Sequence, residues 1–111
     1  MKLTGRFWLE CEGVKVFGMG PCALLEAVDR AGTLSQAADE LGMSYSKAWF
    51  IIKRAESKLG FLLLERQIGG SDGGGSSLTE QGRRLTKSYR DLSLDAEELL
   101  PKLYQKHFDY I

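Results

Sequence analysis

Residues Thr33 to Gly60 read T-L-S-Q-A-A-D-E-L-G-M-S-Y-S-K-A-W-F-I-I-K-R-A-E-S-K-L-G, and two helices are written into them. Thr33-Leu34-Ser35-Gln36 is a capping box, in which the Thr33 hydroxyl accepts from the Gln36 N–H and the Gln36 side chain can reach back. The helix it opens spans Leu34 to Leu41 and is closed by Gly42, with Ala37, Ala38 and Leu41 as a small apolar face. Ser44 is a second N-cap. A longer helix follows from Tyr45 to Leu59, with Ala48, Ile51, Ile52, Ala55 and Leu59 facing inward and Gly60 as its stop. Two helices joined across Gly42-Met43-Ser44, with alanines where they cross, make the helix-turn-helix pattern. Alanine lets the two axes approach closely. Gly42 accommodates the positive φ expected of the turn.

On the C-terminal side, Phe61 to Gln67 reads as an apolar strand and Ser77-Leu78-Thr79 as a brief second one. Between them lies I-G-G-S-D-G-G-G-S, with five glycines among residues 69–75. A nucleotide-cradling loop needs a lysine followed by Ser or Thr at its end, or the spacing G-x-G-x-x-G, and neither occurs here. A hairpin placed directly after a basic helix is instead a wing, residues 61–79. Its glycines let the main chain approach a phosphate backbone, and Ser71, Ser76 and Ser77 offer hydroxyls to it. The plainer alternative is a hairpin tip with no role. A long helix over 80–107 then starts after Thr79. Leu85, Tyr89, Leu92, Ala96, Leu99 and Leu103 recur at 4, 3, 4, 3, 4, a heptad seam suited to dimerisation or to packing on the domain's own helices. Pro101 is expected to kink or restart it.

On the N-terminal side, Leu3, Gly5, Phe7, Leu9 and Cys11 alternate with polar or aromatic neighbours, which predicts a strand. Glu12-Gly13 is a turn and Val14 to Phe17 the return strand, a hairpin over 1–17. Pro21 suits the first position of a helix that carries Leu24, Leu25, Val28 and Ala31 and ends at Gly32. The fold class is therefore mainly α with small β (α+β): one winged helix-turn-helix domain over 1–111. Three helices occupy 21–59, the helix-turn-helix itself lies at 34–59, and a long dimerisation helix closes the chain.

The 111 residues suit one compact domain with 43% apolar content. Net charge is zero, but its distribution is uneven: −2 over residues 1–42, +5 over 43–90 and −3 over 91–111. Attraction to phosphate is set by local charge, because charges beyond about 10 Å are screened at roughly 0.1 M salt. No apolar run reaches the length of a membrane span, and the first residues carry Arg6, Glu10 and Glu12, unlike a signal peptide, so a cytoplasmic location and no membrane partner are expected. Two cysteines and one histidine, His107, give no metal-ligand spacing, so no metal and no cofactor are expected. Cys11 and Cys22 are expected as buried thiols.

The exposed face of the second helix carries Ser46, Lys47, Phe50, Lys53, Arg54 and Ser57, with Ser44 and Tyr45 at its start. In a helix-turn-helix the start of this helix enters the major groove. Lys47 can donate to guanine O6 or N7 and Ser46 to several base edges, while Lys53 and Arg54 are better placed for phosphates. Tyr45, Trp49 and Phe50 can touch thymine methyls or pack against the wing; Trp49 is expected in the core. Taken singly, Lys53, Arg54 and Lys58 also read as an ordinary solvated face. The capping box, crossing alanines, turn, basic helix and wing together are far more specific than any one of them.

S-Q-A-A-D-E-L-G-M-S-Y-S-K-A-W, Ser35 to Trp49, and L-L-E-R-Q-I-G-G-S-D-G-G-G-S-S-L-T-E-Q-G, Leu63 to Gly82, resemble the DNA-binding domain of ModE-type molybdate-responsive regulators. The more general A-A-x-x-L-G and L-x-x-R elements are shared with LysR-type regulators. The resemblance implies a homodimer on a palindromic operator. By the same resemblance, Ser44, Tyr45, Ser46 and Lys47 match the base-reading helix start, and Arg66 with Gly69 to Ser77 matches the wing. The N-terminal strands and heptad helix match the dimer contacts. Full-length members carry C-terminal oxyanion-binding domains. This sequence ends at Ile111, so molybdate is not expected to bind this chain. Two rivals stand beside a transcription regulator on double-stranded DNA. One is a winged helix used for protein contacts alone. The other is an enzyme with Cys11 or Cys22 as nucleophile and His107 as base, for which nothing in the sequence suggests an activated thiol.

Overall fold

The computed structural model describes residues 1–67 and 75–111. Strands β1 (Leu9–Cys11) and β2 (Val14–Phe17) are followed by helices α1 (Met19–Ala31), α2 (Leu34–Glu40) and α3 (Tyr45–Leu59). Strands β3 (Leu64–Gln67) and β4 (Gly75–Leu78) follow, and then the 29-residue helix α4 (Glu80–Phe108). Each strand pair is an antiparallel two-stranded ribbon.

Hydroxyl caps set where three helices begin. Thr33 Oγ1 accepts from the Gln36 N–H at 3.0 Å, Ser44 Oγ from Lys47 at 3.1 Å and Thr79 Oγ1 from Gly82 at 3.0 Å. Each bond satisfies one otherwise unpaired N–H of a first turn, worth about 1 kcal/mol. The capping box is one-sided, since among the described residues the Gln36 side chain makes no return bond. Gly42 stands at φ 70° in the turn between α2 and α3, the conformation that a Cβ would strain.

The N-terminal hairpin is shorter than its alternation predicts. Glu12 and Gly13 both take positive φ, 53° and 79°, as a two-residue type I′ turn requires, but pairing ends at Leu9, where the register slips. Residues 1–8 lie outside the sheet. The Phe7 carbonyl is satisfied instead by the Tyr89 hydroxyl of α4, which donates to it at 3.0 Å. The first helix begins at Met19 behind Gly18, so Pro21 is its third residue rather than its first. Its missing N–H would have had no partner within the helix in either place. Pro101 does not interrupt α4, which runs unbroken through it. Both Pro101 and Glu97, whose carbonyl loses the bond, are exposed, so water can take the place of the donor.

The core is formed by Phe17, Cys22, Leu24, Leu25, Val28, Ile52 and Leu63, all within 2% of full burial. Ala37, Ala38, Ala48 and Ala55 fill the helix crossings at 0–1% exposure, as their small size allows. Ile51 and Leu59 are only partly buried beside them. The start of α4 sits hard against the chain entering β3. A Cβ placed on the buried Gly82 would lie 2.5 Å from the Leu63 carbonyl oxygen, which itself accepts from the Thr79 N–H. Gly82→Ala is therefore expected to destabilise the domain by roughly 1–3 kcal/mol despite alanine's better helix propensity. Denaturant unfolding checks this, and an unchanged midpoint contradicts it.

Candidate nucleic-acid interface

Ser46, Phe50, Lys53 and Ser57 recur at i, i+4, i+7 and i+11, which places them on the side of α3 opposite Ala48, Ile52 and Ala55. All four are exposed, as are Ser44, Tyr45, Lys47 and Arg54. Trp49, expected in the core, is instead 48% exposed. It lies at the edge of the buried stripe and faces a cleft of about 130 Å³ between α3 and the wing strands. Tyr45, Lys53, Leu64, Arg66 and Ser76 line the same cleft. Phe50 is 57% exposed and does not border it. Cations stack on both rings: Lys53 Nζ lies 5.9 Å from the Trp49 centroid and the Arg54 guanidinium 5.7 Å from that of Phe50.

The positive charge concentrated in residues 43–90 is partly neutralised within the fold. Lys53 pairs with Glu56 at 3.2 Å, Arg83 with Asp29 at 2.9 Å and Lys87 with Asp91 at 2.7 Å. Arg90 holds Glu26 with two nitrogens, and that hydrogen bonding keeps the Glu26 carboxyl below the usual range. Among the described residues, Lys47, Arg54, Lys58 and Arg66 make no ion pair, and all four are exposed around α3 and the wing.

The wing is tied to the helices by one main-chain bond and by one buried side chain. Arg66 stands opposite Ser76 and Glu65 opposite Ser77 in the β3–β4 ladder. The Gln67 side chain donates to the Ser77 hydroxyl at 2.7 Å, so Ser77 already has a partner. The Ser76 N–H donates to the Gly32 carbonyl at 2.8 Å, tying β4 to the turn between α1 and α2. Ser71 and Gly69 to Gly74 lie outside the described residues.

At the root of the wing is a residue that sequence reasoning left without a role. Glu56 is 7% exposed, and its Oε2 accepts from the N–H groups of Leu63 and Leu64 at 2.8 and 3.3 Å. The buried carboxylate thus replaces the partners that two N–H groups lose where the chain leaves α3 and turns into β3. Its signal was present in the spacing. Glu56 follows Ile52 by four residues, so it falls on the buried stripe.

The six seam positions of α4 divide. Tyr89 packs into its own domain at 7% exposure, edge-on to Phe17 with centroids 5.9 Å apart, and Leu85 lies against the same core. Leu92 and Leu99 stand free at 45% and 53% exposure. Ala96 and Leu103 are half-buried. Cys22 is buried with its thiol near the Thr86 carbonyl at 3.9 Å, and burial pushes its pKa up to about 11, the opposite of what a nucleophile needs. Cys11 is half-buried. No described helix is long and apolar enough to cross a membrane.

A capped helix pair crossing on alanines, followed by a ribbon anchored beside the second helix, defines a winged helix-turn-helix domain. The sequence model of the bacterial regulatory helix-turn-helix proteins of the lysR family matches residues 22–83. The chain belongs to that family. It is 36% identical over 89 residues to the DNA-binding transcriptional dual regulator ModE of Escherichia coli K12, covering 80% of this chain and 31% of that protein. It is also 36% identical over 83 residues to the molybdenum transport protein ModE of Azotobacter vinelandii, covering 75% of this chain and 31% of that one. The chain thus spans about a third of the length of these relatives. Among solved structures it is similar to a CbnR DNA-binding domain crystallised with DNA, with a TM-score of 0.57 and 26% identity. That match covers 71% of this chain and 85% of the other.

Proposed function

We propose that this chain is a sequence-specific DNA-binding transcription regulator that acts as a homodimer on an inverted-repeat operator. The observation that carries the reading is the exposed, capped start of α3, where Ser44, Tyr45, Ser46 and Lys47 stand free beside a wing bearing Arg66 and Ser76. An α-helix with its N-terminal turn free fits a major groove, and a ribbon beside it fits the flanking phosphates. Ser46 and Lys47 address base edges. Arg54, Arg66 and Ser76, with Ser71 and Ser77, address the backbone. Lys53 shares its charge with Glu56 and contributes less there.

Two copies joined along α4 through Leu92, Ala96, Leu99 and Leu103 place two such helices in successive grooves, about 34 Å apart. One relative is named a molybdenum transport protein, and on that likeness the regulated genes are proposed to serve molybdenum transport. A family of DNA-binding regulators and a thiol held protonated both weigh against the enzyme reading.

Lys47→Ala is the test. It is expected to weaken binding by roughly 1–3 kcal/mol at one base pair of each half-site and to relax the preference there. Titrations against operator variants measure it. A uniform loss across all sequences, with a salt slope reduced by about one, places Lys47 on phosphate instead. Binding with little salt dependence for any sequence favours a winged helix used for protein contacts.

A further inference from the structure

We propose that Phe50 reads the C5-methyl group of a thymine on the floor of the major groove, and so fixes a T·A pair in each half-site. This rests on the DNA-binding reading above and adds the chemistry of one position to it. Three aromatic side chains lie exposed near the start of α3, and the structure separates them. Tyr45 and Trp49 line the cleft against β3 and β4, with Arg66 and Ser76 across from them. Both lie on the side of α3 where the wing stands, with Lys53 at the boundary between that side and the face beyond it.

Phe50 is not part of that cleft. It lies one turn beyond Ser46, on the line Ser46-Phe50-Lys53-Ser57 that runs opposite the buried stripe. That line faces a bound duplex, and Phe50 is its single apolar member. Its ring is 57% exposed with one face under the Arg54 guanidinium, so the contact with Arg54 steers the ring without burying it. A phenyl ring offers no donor or acceptor to a base edge. The one apolar group a base pair presents in the major groove is the thymine methyl, and phenylalanine is among the side chains suited to it.

Replacing thymine by deoxyuridine removes that methyl and leaves every hydrogen-bonding group in place. Each thymine of the selected operator is therefore exchanged for deoxyuridine in turn. Binding of the parent and of Phe50→Ala is then titrated by fluorescence anisotropy. One symmetry-related thymine pair is expected to matter. Loss of one methyl weakens the parent roughly four-fold, and loss of both roughly fifteen-fold, from about 0.8 kcal/mol per buried methyl-sized group. Phe50→Ala binds more weakly throughout and is indifferent to that same exchange, while Phe50→Leu keeps part of the sensitivity. The side chain is more than half exposed, so these variants are expected to fold as the parent does. A parent indifferent to every exchange, or a Phe50→Ala variant as sensitive as the parent, overturns the proposal and leaves specific DNA binding intact. A failure to find any preferred operator overturns both readings together.

Discussion

A chain carrying both Leu92→Asp and Leu99→Asp is expected to sediment as a folded 12.4 kDa monomer and to bind a two-half-site operator roughly 10²–10⁴-fold more weakly than the parent. The magnitude follows from bivalency. In the proposed dimer both α3 helices sit on one body, so docking of the second half-site is intramolecular, and separating the bodies removes that gain without touching a single proposed DNA contact. Leu92 and Leu99 suit the experiment because they are 45% and 53% exposed and make no part of the core. Burying each against a second copy contributes roughly 1.5–3 kcal/mol, whereas an aspartate in the same place must be desolvated without a partner. Tyr89 lies on the same seam but would be a poor probe. Its ring supports Phe17 and its hydroxyl holds Phe7, so its loss damages the fold itself. Unchanged sedimentation of the double variant removes α4 from the proposed interface.

Glu56→Ala is expected to lower stability by about 3 kcal/mol, through the N–H groups of Leu63 and Leu64 that lose their shared acceptor. For a domain whose total stability falls near 5–15 kcal/mol, that is a large fraction, and the melting temperature should fall by more than 10 °C, at about 4–8 °C per kcal/mol. Glu56→Gln keeps one carbonyl oxygen for these donors but sets an amide where the buried Oε1 now faces Lys53, so it should fall between the two. Glu56→Ala also frees Lys53 and loosens the root of β3, where the wing joins α3. A melting temperature within 2–3 °C of the parent would mean that water or a neighbouring carbonyl serves those N–H groups as well as the carboxylate does.

The helix-turn-helix was legible in the sequence because its boundaries are local events. Thr33, Ser44 and Thr79 cap from their own side chains, and Gly42 ends its helix by a conformation it adopts alone, so the spans of α2 and α3 need no knowledge of the rest of the chain. The Glu12-Gly13 turn was legible for the same reason. What failed depended on distant partners. Residues 3–8 alternate like a strand, but α4 claims the Phe7 carbonyl and no strand among the described residues pairs with them. Trp49 was expected in the core. It stands at the cleft because the small residues Ala48 and Ala55 and Ile52 already fill the crossing. Glu56 was passed over because a charge on a helix is read as solvated unless the strand that will need it is in view. The seam of α4 was visible as a period, but the period says nothing of which half meets its own domain and which stands free.

The most direct measurement is selection of sheared genomic DNA on the purified protein at near-physiological salt, followed by sequencing of what is retained. Enrichment of an inverted repeat is expected, with half-sites one helical turn or a multiple of it apart and molybdenum-transport genes beside some of the sites. A folded dimer that enriches no sequence would contradict the proposed function, and would turn the exposed start of α3 into a surface for another protein.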